Sequence, residues 1–465
     1  MFHEKTASLI FRYSFQEFRS FSAYFWQAPS FIEVGQYNNK KFVRAFVKKN
    51  RFVQFVLILL LGASHEAWSQ FSTGTWRDHL PYGNVVDVCY DEINMVYAAT
   101  PYAIVSYNPA TFEVERWSKV NRLSDVGISA VEYDAHSDAV VVGYSNGNLD
   151  ILLEDGQFNM PDIRLSNIVG DKQIYDILSY NGLIYLSTGF GIVVVDLTAR
   201  EVRSTYFLGP NGEQQKVNDV LVLNNEIYAI SETTVLKASV NNPFLANFQN
   251  WTEVTDWPSA GAYSDATEFA GNLFVHTIDA TNDKIYRKDL TTGAWSVFSE
   301  FGTMRFGRIW NSDDYLCLAG EWAAICYDEL LYLAYNISDL DGGTIAPNLV
   351  IRDMQNTLWV ADKGRGLVGR KGNGQDLTVR PDGPASAEVR KLNAYNNNLW
   401  VAHGGIYPYG GNLWRNGNYS GRVGDNWTTY QPGAGANATP GVSDMVDVAI
   451  DPFNNNRVFY GSWEE

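Results

Sequence analysis

Cysteine is scarce in this sequence, and basic residues are outnumbered by acidic ones. The chain has three cysteines: Cys89, Cys317 and Cys326. A small and odd number of cysteines is not typical of a disulfide-stabilised fold. Cys317 and Cys326 lie on opposite strands of a predicted hairpin, so a disulfide between them is possible. Buried free thiols are the simpler interpretation. The formal net charge is −17. A surface this acidic repels phosphate backbones, which argues against nucleic acid as a partner.

Signatures of catalysis and metal binding are also lacking. Beyond the first 69 residues only four histidines occur, in different parts of the chain and without metal-ligand spacing: His79, His136, His276 and His403. There is no Gly-x-Ser-x-Gly elbow and no P-loop. We therefore predict no catalytic, cofactor-binding or metal-ligating residues and a protein that is not an enzyme.

Two short glycine-containing motifs have structural explanations. Gly189-Phe190-Gly191 is most simply a turn that needs a positive φ, rather than a phosphate loop. Asp339-Leu340-Asp341-Gly342 faintly resembles a calcium loop but lacks the remaining ligands at their spacing, so a solvated loop is favoured.

The N-terminal region has the three parts of an export signal. Lys48–Arg51 is a basic segment, and Phe52–Ala63 is an apolar run interrupted only by Gln54. Ala67-Trp68-Ser69 then offers small residues where a signal peptidase reads them, which predicts cleavage between Ser69 and Gln70. The apolar run is short for a membrane span, and a membrane anchor is the alternative.

A leader of 47 residues before such a signal is unusual. We predict that residues 1–69 comprise leader and signal peptide, with the true start near 43–48. Val43 and Val47 are candidates, since bacteria can initiate at valine codons.

The most informative feature is a repeat of about 44 residues. With aromatics at 14% and 39 glycines, the composition suits short strands and tight turns. Each unit has a hydrophobic strand, a polar Asn/Gly/Asp turn, an anchor residue that is usually aromatic, and a small-residue strand. The anchors are Tyr97, Val141, Tyr185, Tyr228, Phe274, Tyr315, Trp359, Trp400 and Phe459.

This repeat predicts an all-β fold made of β-propeller blades. About four short strands fit into each unit, and a ring of such sheets buries faces that one sheet cannot bury alone. Nine anchors exceed one ring, so we expect a first propeller of about seven four-stranded blades at 70–375. Residues 376–465 would be the first blades of a second propeller, in a chain that we expect to be a fragment of a longer protein.

Two sets of side chains leave a binding role open. Propeller enzymes exist in which carboxylates converge on the central channel, but spacing alone selects no such set from so many acidic residues. Five aromatics crowd the loop-rich region after Trp400, namely Tyr407, Tyr409, Trp414, Tyr419 and Trp427. Such rings could stack on sugars, although blade-core aromatics and surface loops are the simpler interpretation.

Several motifs resemble the PorZ family, the surface β-propeller component of the type IX secretion system in Bacteroidetes. The first is the opening Thr75-Trp76-Arg77-Asp78-His79-Leu80-Pro81-Tyr82-Gly83-Asn84-Val85. Asn121-Arg122-Leu123-Ser124-Asp125 is similar to a propeller-repeat Asn-Gly-Leu-Ser motif, with Arg122 in place of glycine. Residues 143–150 and 185–193 are similar as well.

The resemblance implies a non-catalytic accessory role without a cofactor. Such a protein would sit on the outer-membrane surface and present anionic lipopolysaccharide to the type IX sortase, which processes and attaches cargo proteins. No ligand-binding residue carries over from these motifs, so the ligand site is unknown from the sequence. The main alternative is the glycan-sensing periplasmic propeller region of a hybrid two-component regulator, and a polysaccharide-degrading propeller enzyme is a third interpretation.

Overall fold

The computed structural model describes residues 77–463 except 92, 94, 155, 259–260, 281–282, 300–303, 313, 416, 433–437 and 440. The predicted signal peptide and its cleavage site between Ser69 and Gln70 lie outside these residues. Within the described part, no helix is long and apolar enough to cross a membrane.

The described chain is almost entirely antiparallel β-sheet, in units of four consecutive strands. The first three sheets contain β1 Asp87–Tyr90, β2 Val96–Ala99, β3 Ala103–Tyr107, β4 Val114–Ser118, β5 Ile128–Asp134, β6 Ala139–Tyr144, β7 Leu149–Leu153, β8 Gly156–Met160, β9 Ile174–Tyr180, β10 Leu183–Thr188, β11 Gly191–Asp196 and β12 Glu201–Tyr206. The next two contain β13 Asp219–Leu223, β14 Glu226–Ile230, β15 Val235–Ser239, β16 Thr252–Glu253, β17 Ala262–Phe269, β18 Asn272–Ile278, β19 Lys284–Asp289 and β20 Trp295–Ser299.

Two further four-stranded sheets follow, separated by a small hairpin. They contain β21 Phe306–Ser312, β22 Tyr315–Gly320, β23 Ala324–Tyr327, β24 Leu333–Ile337, the hairpin strands β25 Asp339–Leu340 and β26 Gly343–Thr344, and then β27 Pro347–Arg352, β28 Leu358–Asp362, β29 Gly366–Arg370 and β30 Asp376–Val379. In the described part of the chain, three short helical turns lie in connections: α1 Asp162–Leu165 and the 3₁₀ turns Pro210–Gly212 and Phe248–Asn250.

These seven sheets form a closed ring, which confirms the predicted propeller. The first strand of each sheet contacts the first strand of the next, and β27 of the seventh contacts β1 of the first. Seven hydrophobic clusters each combine buried residues of two neighbouring sheets. A single blade therefore buries its faces only against its neighbours, so the ring is the stable unit.

Further sheets begin after the ring. A five-stranded sheet contains β31 Lys391–Tyr395, β32 Asn398–Ala402, β33 Tyr419–Val423, β34 Asn426–Pro432 and β35 Ala438–Thr439, and a two-stranded sheet contains β36 Met445–Ile450 and β37 Val458–Ser462. Strand β31 contacts β36, first strand to first strand as in the ring. This is the predicted start of a second set of blades. The seventh blade ends at Val379, slightly past 375, and the domain limits themselves stay predictions.

The repeat motif corresponds directly to the blade geometry. Every anchor residue lies in the second strand of its sheet, from Tyr97 in β2 to Phe459 in β37. The polar turn before it is the hairpin between the first and second strands. In the third blade this turn is Asn181-Gly182, with φ of 51° and 73°. Two consecutive left-handed residues define a type I′ turn, which explains the repeated Asn and Gly.

The two short motifs take the conformations of turns. Gly191 has a φ of 149°, and a Cβ there would lie 2.1 Å from the carbonyl oxygen of Tyr206, so only glycine fits. Asp341 and Gly342 form the left-handed turn of the β25–β26 hairpin, with φ of 48° and 72°. The described residues contain no group of three His, Cys, Asp or Glu side chains arranged to hold a metal ion.

Cys317 and Cys326 form a disulfide, which the structure favours over the simpler interpretation of free thiols. They are directly opposite each other in β22 and β23, with their Cα atoms 4.2 Å apart. Cys89 is a free, buried thiol.

This pairing has a direct chemical test. In denaturant without reductant we expect one cysteine, Cys89, to react with an alkylating reagent, and after reduction all three, as counted by intact mass. Without denaturant none should react quickly, because all three side chains are buried. Three reactive thiols before reduction would contradict the disulfide.

The segment before β1 closes the ring. The amide of Val85 donates to the carbonyl of Asp362, and the amide of Gly366 donates to the carbonyl of Gly83, at 2.9 and 2.7 Å. Tyr82 and Val85 are buried in the cluster that joins the first and seventh blades. No strand is shared between these two blades in the described chain, because each sheet uses four consecutive strands. We call residues 77–86 the closing segment.

The closing segment also reaches the sheet that follows the ring. Trp427 Nε1 of β34 donates to His79 Nδ1 at 3.1 Å, and Arg77 lies 3.6 Å from Asp425. Ser118 of β4 donates to Asp78. The opening motif thus connects the first blade, the seventh blade and the next sheet, which explains its specific sequence.

Removing the indole donor should loosen this connection. For Trp427→Leu we expect increased proteolysis in the 380–390 connection, while the ring itself keeps its stability. The hydrogen bond needs an unprotonated Nδ1 on His79. Burial lowers the pKa of His79, and so do the nearby Arg422 and Arg77, so Nδ1 can accept the bond at neutral pH. Limited proteolysis with mass spectrometry measures the effect, and an unchanged cleavage pattern would contradict it. Trp463→Leu, a half-exposed tryptophan elsewhere, is the control.

Candidate functional site

Four aspartates surround the central channel at the start of the inner strands. They are Asp87, Asp176, Asp219 and Asp265, each in the first strand of its blade. Three accept a hydrogen bond from a backbone amide of the next blade: Asp87 from Val131, Asp219 from Ala266, and Asp265 from Ile309, at 2.9 to 3.0 Å. These carboxylates therefore hold neighbouring blades together at the rim of the channel.

Arg308 crosses the channel to meet them. It lies in β21 of the sixth blade and forms ion pairs with Asp87 of the first blade, at 3.3 Å, and with Asp176 of the third. Burial of the guanidinium would lower its pKa, but Asp176 and Asp87 outweigh this and raise it, so Arg308 stays charged. One side chain thus joins three blades.

A cavity of about 450 Å³ opens beside this ion cluster. Its lining residues come from the third to the sixth blades: Tyr175, Asp176, Lys216, Asn218, Asp219, Glu232, Ala262, Tyr263, Ser264, Asp265, Ile278 and Arg308. The electrostatics oppose a phosphorylated ligand, because carboxylates outnumber the two cations. One face of the Tyr175 ring is occupied by Lys216, whose Nζ lies 4.0 Å from the ring centroid.

Burial strongly perturbs the carboxylates of the channel. It raises the pKa of Asp87 to about 6, even with Arg308 beside it, and raises the pKa of Asp176. Burial and the neighbouring Asp176 raise the pKa of Asp219 well above its ordinary range. Glu132 lines a second cavity of about 150 Å³ together with Asn311 and Ser312. Burial also raises the pKa of Glu132 well above its ordinary range. Protons shared among these groups reduce the charge that the channel would otherwise carry.

Buried histidines in this protein have structural partners. His276 is fully buried, and its Nδ1 lies 3.1 Å from Asp265. Its Nε2 lies 3.9 Å from Asp283, which is close enough for an ion pair but too far for a hydrogen bond. His403 Nε2 lies 2.8 Å from Ser420 Oγ. That Ser–His contact resembles a nucleophile with its base, but Ser420 is completely buried and also accepts from the amide of Ala385. A substrate could not reach it.

The five aromatics predicted after Trp400 divide into two groups. Tyr419 packs beside the buried ring of Trp400, and Trp427 bonds to His79, so both are structural. Tyr407, Tyr409 and Trp414 lie in the connection between β32 and β33 and are exposed. We call this connection, residues 403–418, the aromatic loop.

Sequence reasoning missed both the channel cluster and its arginine. The carboxylates recur at blade spacing, but Asp is so common here that only the ring shows which ones converge. Arg308 had no signal in the sequence, since it occupies in the sixth blade the position that Asp265 occupies in the fifth. The aromatics of the aromatic loop were noted from the sequence, because rings separated by Gly and Asn are visible without a structure, although a structural role was the simpler interpretation.

The motifs that suggested a family lie in turns and at contacts between blades. The amide of Ser124 donates to Asp150 at 2.7 Å, which links two of the quoted motifs across the first and second blades. Leu123 is buried between the same blades. Their sequence specificity therefore reflects blade packing.

Comparisons with known proteins agree with this interpretation. Residues 96–252 match the family described as the type IX secretion PorZ N-terminal beta-propeller domain. No curated protein sequence matches the chain. A solved structure of PorZ from Porphyromonas gingivalis is similar, with 20% identity and a TM-score of 0.69 over 84% of this chain and 51% of that one. This chain thus spans about half the length of that structure.

Other propellers are less similar. The WD40 propeller domain of Doa1 is 12% identical with a TM-score of 0.47, over 64% of this chain and 96% of that one. The predicted resemblance to the PorZ family is confirmed by the family match together with the fold.

Proposed function

From a first propeller that is PorZ-like in sequence and fold, we propose that this protein is a non-catalytic accessory component of a type IX secretion system. The observation that carries the proposal is the family match of residues 96–252, which covers most of the first four blades. The related PorZ is described as an essential bacterial surface component of that system. An exported location on the outer-membrane surface, after cleavage between Ser69 and Gln70, is part of the proposal.

The finer role that we propose is the presentation of anionic lipopolysaccharide to the cell-surface sortase. An adaptor needs binding surfaces rather than reacting groups. The channel aspartates hold neighbouring blades together, and His276 and His403 have partners within their own sheets. The acidic channel would repel the phosphates of such a ligand. We therefore expect the anionic part of the lipopolysaccharide to bind outside the channel.

Deleting the gene tests the proposal. We expect type IX cargo proteins to remain unprocessed and unattached to the surface, and a copy of the wild-type gene to restore both. Immunoblots of cargo in cell and medium fractions measure processing and attachment. Normal cargo processing in the deletion strain would refute the secretion role.

The same deletion strain distinguishes the secretion role from the alternative function, a glycan sensor. A sensor predicts intact cargo processing together with altered transcription of polysaccharide-utilisation genes. Measuring cargo and transcripts in one experiment therefore distinguishes the two functions.

A further inference from the structure

The aromatic loop is much longer than its counterparts in the ring. It connects the second and third strands of its sheet and runs from 403 to 418. The equivalent connection in the third blade is only Gly189-Phe190. In the fifth blade it is 279–283. A blade does not need the additional residues to close its hairpin.

Three rings project from this loop into solvent. Tyr409 is 81% exposed, Trp414 68% and Tyr407 41%. The two tyrosines stack face to face, with their centroids 5.0 Å apart and an interplanar angle of 6°. The stack uses one face of each ring and leaves the outer face of Tyr409 open.

The loop is held in one shape by its own backbone. The amide of Tyr407 donates to the carbonyl of Gly411 at 2.8 Å, and the amide of Gly410 donates to the carbonyl of Tyr407 at 2.9 Å. Ile406 and Asn412 form a bridge at the base of this tip. Such preorganisation lowers the entropic cost of binding.

Trp414 is fixed in a costly conformation. Its φ is 58°, in the left-handed region, which is unfavourable for a bulky residue and which glycine or asparagine would occupy more easily. The buried carboxylate of Asp444 holds it there, accepting from the amides of Trp414 and Arg415 at 2.8 and 3.2 Å. An exposed tryptophan kept at a strained position points to a use for its ring.

The composition of the aromatic loop indicates which class of ligand it can bind. From Gly404 to Trp414 no residue is charged, in a protein whose net charge is −17. Aromatic faces carry partial negative charge and attract the polarised C–H groups of a pyranose ring. Arg415, the next residue, is already paired with Glu388 at 2.7 Å. A site without a free charge is complementary to an uncharged, hydroxyl-rich chain.

We propose that the aromatic loop is a binding platform for the uncharged pyranose residues of a surface polysaccharide, with Trp414 and Tyr409 as the stacking rings. This inference rests on the proposed function in one respect, since it assigns the polysaccharide part of the lipopolysaccharide to this loop. The anionic groups of that ligand are bound elsewhere.

Calorimetric titration of the purified chain tests the platform. The probe is the lipid-free polysaccharide released by mild acid from the anionic lipopolysaccharide of a type IX-secreting bacterium. We expect Trp414→Ala and Tyr409→Ala each to weaken binding about tenfold or more, as for a central aromatic contact. Trp322→Ala, which removes another exposed tryptophan, should leave the affinity unchanged.

A glycine variant excludes misfolding as the cause. Trp414→Gly relieves the backbone strain, so it should lose binding while it unfolds at the same or a higher temperature. Wild-type affinity in the Trp414 and Tyr409 variants would overturn the platform and leave the proposed function standing. Failure of the wild-type chain to bind the polysaccharide would also overturn the platform, whereas the secretion role is judged separately by cargo processing.

Discussion

Replacing Arg308 with methionine is expected to destabilise the first propeller by about 3–5 kcal/mol, the usual cost of removing one partner from a buried ion cluster. The guanidinium is the only cation that pairs with Asp87 and Asp176 among the described residues, and both carboxylates are buried. Without it, two charges from different blades would face the channel unpaired. Urea unfolding followed by tryptophan fluorescence measures the loss.

An arginine whose carboxylate partner is exposed to solvent provides the control, because its removal leaves no buried charge. Arg352 pairs with Asp314, which is largely exposed, at 2.9 Å. For Arg352→Met we expect a loss below about 1 kcal/mol. Equal losses for the two variants would mean that Arg308 has no special role in the ring.

The Arg308→Met defect should depend on pH. Removal of the cation raises the pKa of Asp87 and Asp176 further, and a carboxyl with a raised pKa in the folded state stabilises at low pH and loses that contribution as pH rises. We therefore expect a much smaller defect at pH 5 than at pH 8. Adding Asp87→Asn and Asp176→Asn should recover part of the stability at pH 8, and a pH-independent defect would contradict the electrostatic explanation.

Protonated His276 is expected to contribute about 3 kcal/mol to folding at neutral pH. Burial alone would lower its pKa, but Asp265 and Asp283 outweigh it and raise the pKa to about 9. The stabilisation is complete below about pH 6.5, the unfolded value, and is lost as pH rises through 9. Wild-type stability should therefore fall between pH 7 and 10.

Substitution of His276 isolates this effect. The groups that face the imidazole are Asp265, Asp283 and the ring of Phe306, and Arg305 pairs with Asp283 at 2.6 Å. His276→Gln should be less stable at pH 7 and should lose most of the alkaline slope, as measured by thermal unfolding across the pH range.

His403 provides a matched control for the pH dependence. Burial lowers the pKa of this second buried histidine, so its contribution is lost as pH falls, not as pH rises. His403→Gln should therefore keep the alkaline slope. A slope that persists in His276→Gln would show that other groups cause it.

The blades could be predicted from the sequence because their signal is local. The anchor, the Asn-Gly turn and the small-residue strand lie within a dozen residues, and each is required by hairpin geometry, as at Asn181 and Gly182. The count of about seven blades followed from the spacing of nine anchors together with the usual limit on the number of blades in one ring. Closure of the ring was harder to predict, because it depends on hydrogen-bonded pairs such as Val85 and Asp362 that are far apart in the chain.

The site was harder to predict, for a physical reason. Convergence of Asp87, Asp176 and Arg308 is a property of the closed ring, and spacing along the chain is no measure of distance across that ring. The Cys317–Cys326 pairing depended on strand register, which was not known. The exposed rings of the aromatic loop could be suspected, but the strain at Trp414 and its anchor, Asp444, are visible only in three dimensions.

Ring closure by the closing segment has a consequence for the order of folding. Gly83 and Val85 bond to Gly366 and Asp362, so the first blade obtains its last neighbour only after the seventh has been made. A contact across so much chain carries a high entropic cost until the intervening blades have shortened the loop. The opening residues must therefore wait with apolar side chains such as Tyr82 and Val85 uncovered. A chaperone that protects nascent chains would find its most persistent binding site at the closing segment, which is synthesised before any of the blades.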